Sequence, residues 1–243
     1  MRLAILADIH GNFQALQAVI ADMDAIGVQA VVSLGDNIGY GPEPEEVVQT
    51  LMGRGVPSVI GNHELALSSQ GYFNRLNPIP AISLAISREL LSRESLAYCL
   101  SLPVYLVRHG ARFVHGCPPE SVTTYLWHPA ATRLARIFTS FAESICFFGH
   151  THALACFAAC DQHYEVQETV LQTRALAPDC RYIINPGSVG QPRDDFNNQA
   201  KYGIWDQDGH TYTQRAVPYD VQKTVTLLRE RNFPQSNADR LLW

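Results

Sequence analysis

The stretch Leu3-Ala4-Ile5-Leu6-Ala7-Asp8-Ile9-His10-Gly11-Asn12 decides the fold. Five apolar residues in a row are too few for an ordinary helix and read as a buried strand, which ends abruptly in an Asp and a His two residues apart. Phe13, Leu16, Val19, Ile20, Met23 and Ile26 then recur at helical spacing, with Gly27 placed to end the helix. Ala30 to Leu34 reads as a second strand. A helix from about Pro42 carries Val47, Val48, Leu51 and Met52 and stops at Gly53, and Val56 to Ile60 reads as a third strand. This β-α-β-α-β order predicts parallel pairing inside an α/β domain.

The remaining chain continues the alternation less regularly. Ser68 to Pro80 reads as a loop, and it is the place where a substrate lid is expected. Ile82, Ile86 and Leu90 mark a longer helix. Val104 to Val107 and Arg112 to His115 read as strands around the turn at His109-Gly110, and Leu134, Ile137, Phe138 and Phe141 form a helical stripe. Strands are expected at Ile145 to Phe148, Leu154 to Ala159, His163 to Val170, Arg181 to Ile184, Tyr202 to Trp205 and Thr211 to Val217, and Val221, Val225 and Leu228 mark a last helix. With no repeat, linker or low-complexity tract, residues 1–243 read as one domain.

Composition narrows the class. At 243 residues with 47% apolar content, the chain is long enough to bury a core without staples and too apolar to be disordered. Its 18 basic and 23 acidic residues give a net charge of -5, which excludes a generally basic nucleic-acid-coating protein but not a local phosphate site. The N-terminal apolar run is too short for a signal-peptide core, and no apolar stretch is long enough to span a membrane, so a cytoplasmic location is expected. The six Cys show no CxxC pair; all are expected as reduced buried thiols, and Cys156 with Cys160 lacks the second pair that a zinc site needs.

The informative pattern lies in the polar residues at the end of each apolar run. Asp8-Ile9-His10-Gly11-Asn12 comes after the first, Gly35-Asp36-Asn37 after the second, and Gly61-Asn62-His63-Glu64 after the third. His115-Gly116, Gly149-His150-Thr151-His152 and Asn185-Pro186-Gly187-Ser188 come after three later ones. Ligands of α/β sheets bind outside the carboxyl ends of the strands, so these fragments converge on one site. Singly each is ordinary: Asp-x-His is commonly a cap, Gly-Asp or Gly-Asn a turn, and His-x-His a solvated pair. Their conjunction, in order and each at the end of an apolar run, points to a metal. Asp8, His10, Asp36, Asn62, His115, His150 and His152 offer seven O or N ligands and no sulfur, a mixture that suits first-row divalent ions. Seven protein ligands are too many for one ion with an open position and suit two ions with Asp36 bridging. Two carboxylates against four positive charges leave such a centre cationic and attractive to phosphate oxygens.

Taken together, Asp8-x-His10, Gly35-Asp36, Gly61-Asn62-His63-Glu64, His115-Gly116 and Gly149-His150-x-His152 resemble the calcineurin-like metallophosphoesterases, from residue 3 to about residue 205. The resemblance implies a sandwich of two mixed β-sheets flanked by helices. It implies Asp8, His10, Asp36 and His152 as ligands of one ion, and Asp36, Asn62, His115 and His150 as ligands of the other. Asp36 and His63 are the implied catalytic residues, with His63 beside the leaving group. The cofactors implied are two divalent transition metal ions: manganese, iron, zinc, nickel or cobalt. The stretches Gly35 to Pro42 and Asn185 to Asp194 resemble a compact bacterial and archaeal subgroup of phosphodiesterases and diadenosine tetraphosphate hydrolase-like proteins. Tyr40 stands where the protein-phosphatase branch has a phosphate-gripping Arg, and Glu64 stands where most relatives have an Asp that orients the catalytic His.

The expected reaction is hydrolysis of small phosphodiesters or nucleotide phosphoanhydrides by a hydroxide bridging the two ions. Asn62, Arg193 and Tyr40 are the expected substrate-binding residues. Arg193 is placed either to hold a distal phosphate or to pair with Asp194 or Asp195, and Tyr40 and Tyr72 either to stack on a nucleobase or simply to pack. Ser188 reads as a turn residue, and His109, His128, His163 and His210 as surface or turn residues. The competing functions are a nuclease or phosphoprotein phosphatase of the same fold, and a non-catalytic metal-binding scaffold. The expected partner is a small phosphoester or nucleotide, with no membrane and no long nucleic acid; the net charge and the lack of a Lys or Arg cluster disfavour a polyanion.

Overall fold

The computed structural model describes residues 1–161, 163–167, 169 and 171–242. The N-terminal run forms β1 (Arg2–Leu6), followed by α1 (Phe13–Ile26), β2 (Ala30–Ser33), α2 (Pro44–Gly53), α3 (Asn62–Ser68), α4 (Gln70–Phe73), α5 (Pro78–Leu90) and α6 (Arg93–Ser101). A hairpin of β3 (Tyr105–Arg108) and β4 (Ala111–Val114) leads to α7 (Ala131–Phe138), β5 (Ile145–Phe147), β6 (Leu154–Cys160), β7 (His163–Gln167) and β8 (Thr173–Ala175). The chain closes with β9 (Cys180–Pro186), β10 (Ala200–Asp206), β11 (Thr211–Val217), α8 (Val221–Glu230) and α9 (Gln235–Asp239).

The strands form two mixed sheets flanked by helices, of order β2-β1-β10-β11-β8 and β3-β4-β5-β9-β6-β7. β1 runs parallel to β2 and antiparallel to β10, while β4, β5 and β9 run parallel. Alternation along β1 explains its unbroken apolar run. Leu3, Ile5 and Ala7 enter the core with Phe113, Phe147, Ile184, Trp205 and Tyr212, while Ala4 and Leu6 face Leu16, Val19 and Met23 of α1. The opposite face of the second sheet, with Cys146, Phe157 and Ile183, is covered by Leu134, Ile137 and Phe138 of α7. Among the described residues, no helix is long and apolar enough to cross a membrane.

Several expectations change. Val56 to Ile60 is not a strand: it holds to β2 by one bridge between Ser33 and Ser58, and Pro57 within it has no N–H to extend a ladder. Ser68 to Pro80 is not an irregular loop. It contains α4 and the start of α5, and Tyr72, Phe73 and Leu76 pack on a cluster with Ala66 and Leu84. The expected strand from His163 runs to Gln167; Glu168 and Val170 lie outside the described residues. The cysteines are not all thiols. Cys160 and Cys180 face each other in the β6–β9 register, 4.5 Å apart at Cα, and form a disulfide, whereas Cys99, Cys117, Cys146 and Cys156 are buried and free.

Candidate metal centre

The turns after β1 and β2 are laced together by the backbone. Asp8 N donates to Gly35 O (3.1 Å), His10 N to Asp36 O (2.9 Å) and Gly11 N to Asn37 O (2.8 Å). This lacing holds Asp8 (φ 52°), His10 (φ 50°) and Asp36 (φ 51°) in left-handed backbone, and His150 (φ 68°), His152 (φ 59°) and Tyr40 (φ 56°) adopt it too. Asp and His tolerate that region better than most residues, but each instance costs of order 1–3 kcal/mol unless its surroundings enforce it. Such a concentration of strain in one cluster is a mark of a functional site.

The side chains converge as two donor groups. One donor atom from each of Asp8, His10, Asp36 and His152 lies within 4.8 Å of the others, and so do donors of Asp36, His115 and His150. All six residues are buried. Asp36 belongs to both groups: Oδ1 accepts from His63 N (2.8 Å), while Oδ2 lies 3.7 Å from His10 Nε2 and 3.4 Å from His115 Nε2. Asp8 accepts from His150 N (3.0 Å at Oδ2), and its Oδ1 lies 3.5 Å from His152 Nε2. Asn62, the first residue of α3, brings Oδ1 to 3.1 Å from His115 Nε2.

The imidazole hydrogen bonds test whether this cradle fits cations. His10 Nδ1 donates to Ile38 O (2.9 Å), His152 Nδ1 to Gln191 O (2.8 Å), His115 Nδ1 to Leu34 O (2.8 Å) and His150 Nε2 to Thr123 O (3.2 Å). A neutral ring has one N–H, so in His10, His152 and His150 the nitrogen facing the cluster is a bare lone pair. Burial holds His10 and His152 well below the ordinary imidazole pKa and pushes His150 down to about 3. The facing Nε2 atoms of His10 and His152 are 3.1 Å apart. Two lone pairs at that distance repel unless a cation lies between them, and ligand bonds of about 2.0–2.2 Å put neighbouring donors about 2.8–3.6 Å apart. His115 differs: burial, the largest single influence, would lower it, but the Asp36 carboxylate, Asp8 and the bond to Leu34 O together outweigh burial and raise it to about 9. Its Nε2, 3.2 Å from His150 Nδ1, then carries a proton where a cation would otherwise sit. The cradle fits divalent metal ions at both groups.

His63 lies beside the cluster, buried, with Nε2 4.0 Å from Asp36 Oδ2 and its ring 4.8 Å from that of His10. Its Nδ1 has no partner and faces Gly39 (φ +83°), where any Cβ would sit 2.1 Å from that nitrogen. The role left open for Glu64 resolves onto the backbone. With one more methylene than Asp, Glu64 reaches the backbone instead, accepting from Asp36 N (3.0 Å), Asn37 N (2.7 Å) and Gly61 N (2.9 Å). Tyr40 packs against His10 and His63 at 4.7 and 4.9 Å between ring centroids. The choice left open for Arg193 resolves away from the acidic pair. Asp194 pairs with buried Lys201 (3.3 Å), while the Arg193 guanidinium lies over Tyr40, 5.6 Å from the ring centre, with Nε unpartnered. Tyr72 is half-buried, and Ser188 is a turn-holder, donating to Asp8 O (2.7 Å) and accepting from Gln191 N (2.8 Å). His109, His128, His163 and His210 are exposed.

Sequence reasoning missed the roles of Gly39 and Glu64 and a stack over the second group, where Tyr125 lies flat on His150 with centroids 3.8 Å apart. The aromatic run Tyr125-Leu126-Trp127-His128 was the signal for it.

Comparison with known proteins identifies the family. Residues 1–209 match the calcineurin-like phosphoesterase superfamily domain. A metallophosphoesterase from Sphaerobacter thermophilus superposes with a TM-score of 0.82 at 33% identity, covering 100% of this chain and 98% of that one. An uncharacterized protein of Methanocaldococcus jannaschii is 29% identical over 245 residues, 98% of this chain and 96% of its own. A hypothetical protein from Pyrococcus horikoshii OT3 shares the fold, with a TM-score of 0.81 at 18% identity over 99% of this chain and 97% of its own. With its two mixed sheets and its buried Asp and His donors at their edge, this chain belongs to the calcineurin-like phosphoesterase superfamily.

Proposed function

We propose that the protein is a two-metal phosphoesterase acting on small phosphodiesters or nucleotide phosphoanhydrides. The observation that carries this reading is the pair of imidazole clusters around Asp36 Oδ2, with their outer N–H groups satisfied by backbone carbonyls and their inner nitrogens turned toward each other. Asp8, His10, Asp36 and His152 would hold one divalent ion, and Asp36, Asn62, His115 and His150 the other. When bound, such a pair supplies Lewis-acid stabilisation of phosphoryl oxygens and a nucleophile generated from water near neutral pH.

The chain's own residues do the rest. Asp36 is oriented by the His63 N–H on one oxygen, which leaves the other to serve both groups. Glu64 fixes the backbone of Asp36 and Asn37 and thereby the carboxylate. His63 turns Nε2 toward the cluster and is suited to stabilise or protonate the leaving oxygen. Arg193, with an unpartnered Nε beside Tyr40, is suited to grip a phosphate oxygen. Protein loaded with manganese is expected to hydrolyse bis-p-nitrophenyl phosphate. If the loaded protein is inert on phosphate mono- and diesters alike across manganese, iron, zinc, nickel and cobalt, this reading is wrong.

A further inference from the structure

Next to the donor groups lies a cavity of about 590 Å³, within the range of about 300–1,000 Å³ typical of small-molecule sites. Its floor is β6, through Leu154 and Phe157. Trp127 and Phe196 line its sides, and Thr151 and Arg193 line it where it meets the metal centre. Thr151 stands between His150 and His152, and Arg193 N donates to His152 O (3.0 Å). The cavity is also tied to the site by stacking: His150 lies under Tyr125, and Tyr125 in turn stacks with Trp127 at 6.3 Å and 21° between planes. The cavity therefore begins where the cluster ends, and the segment that carries His150 and His152 shapes both.

Its chemistry is apolar and aromatic. Trp127 and Phe196 leave 44% and 46% of their surface exposed, a large apolar area available to a ligand. Among the described lining residues Arg193 is the one Lys or Arg, and the neighbouring acids do not extend a phosphate track. Asp194 is neutralised by Lys201, and Asp195 lies exposed on the lining. A polyphosphate chain entering here would meet one guanidinium and then a carboxylate, whereas a planar uncharged group would meet aromatic faces.

We propose that this cavity is the subsite for the organic half of the substrate, and that it takes a nucleoside or a comparably planar aromatic ester group, stacked on Trp127 and Phe196 with Arg193 at the phosphate end. The proposal rests on the phosphoesterase reading above, so its test carries a readout that needs neither metal nor turnover. Saturation-transfer difference NMR on chelator-stripped protein should show transfer to the purine protons of adenosine and none to ribose at equal concentration. Transfer should fall at least threefold in Trp127→Ala and in Phe196→Ala. With manganese-loaded protein, each alanine variant should raise KM for bis-p-nitrophenyl phosphate roughly tenfold with kcat within about threefold of wild type, and Trp127→Phe should restore KM. A misfolded variant would instead lose kcat and thermal stability, and Trp127→Phe guards against that confusion. Absence of adenosine transfer in wild type, or undiminished transfer and KM in both alanine variants, would overturn the subsite. Adenosine transfer that depends on Trp127 in a protein inert on every ester would overturn the phosphoesterase reading while leaving the nucleoside site in place.

Discussion

The two donor groups share Asp36 but differ in backbone and in protonation. Asp8, His10, Asp36 and His152 all sit in left-handed backbone, held there by hydrogen bonds between neighbouring turns. In the second group, Asn62 opens α3 and His115 directly follows β4, both in ordinary backbone, so that apart from the shared Asp36 only His150 is left-handed. The electrostatics differ as well: burial holds His10 and His152 of the first group neutral, whereas the second pairs a neutral His150 with a His115 held protonated beside Asp36. The first group is left-handed at all four residues and presents bare imidazole lone pairs. The second is left-handed only at Asp36 and His150, and sets the bare lone pair of His150 against a proton on His115.

The largest effect should come from the residue the groups share. Asp36→Asn is expected to lower kcat/KM for bis-p-nitrophenyl phosphate at least 10³-fold, a loss of about 4 kcal/mol in transition-state stabilisation. An effect limited to tenfold would mean that the two groups do not act as one centre.

Gly39→Ala comes next. A Cβ there meets His63 Nδ1 at 2.1 Å and also strains a left-handed turn. We expect kcat to fall roughly 10²-fold, the scale of a displaced proton donor, with metal content unchanged.

The protonation difference predicts a pH effect in thermal melts. In metal-free protein, Asp8 is raised by burial to about 7, and His115 is raised to about 9. Below about pH 6.5 the buried neutral His10, His150 and His152 offset this, because the unfolded chain protonates them. From about pH 7 to 9 the native state binds more protons than the unfolded chain, so its stability falls as pH rises through that window. Metal replaces those protons. The rise in Tm on adding manganese should therefore be larger at pH 9 than at pH 6; equal shifts would remove the proposed proton from the second group.

The smallest effect is expected from Glu64→Gln, which converts one of the oxygens receiving backbone N–H groups into a donor. Chemical denaturation should show a loss of about 1–3 kcal/mol. If His63 were the true partner of Glu64, activity would fall much further than stability.

Much of this was legible in the sequence because strand termini and ligand types share a simple code. The run Leu3 to Ala7 had to be buried on both faces, and the polar fragments after successive runs had to meet at one edge. What stayed hidden depends on distance in space. Nothing local shows that Glu64 reaches back 28 residues to Asp36 N, or that Gly39 makes room for a ring. Val56 to Ile60 has strand composition, but Pro57 limits its pairing to one bridge. Asn62 and His63, read as following a strand, open a helix instead. The Cys160–Cys180 pairing depends on the β6–β9 register, which composition does not encode.

The most direct test of the central claim is the number of ions held per chain. Chelator-stripped protein dialysed against manganese and analysed by elemental emission should bind two ions in wild type. His152→Ala and His150→Ala should each bind one, and Asp36→Asn fewer than one. A wild type that binds none or one, or histidine variants that each still bind two, would contradict the account.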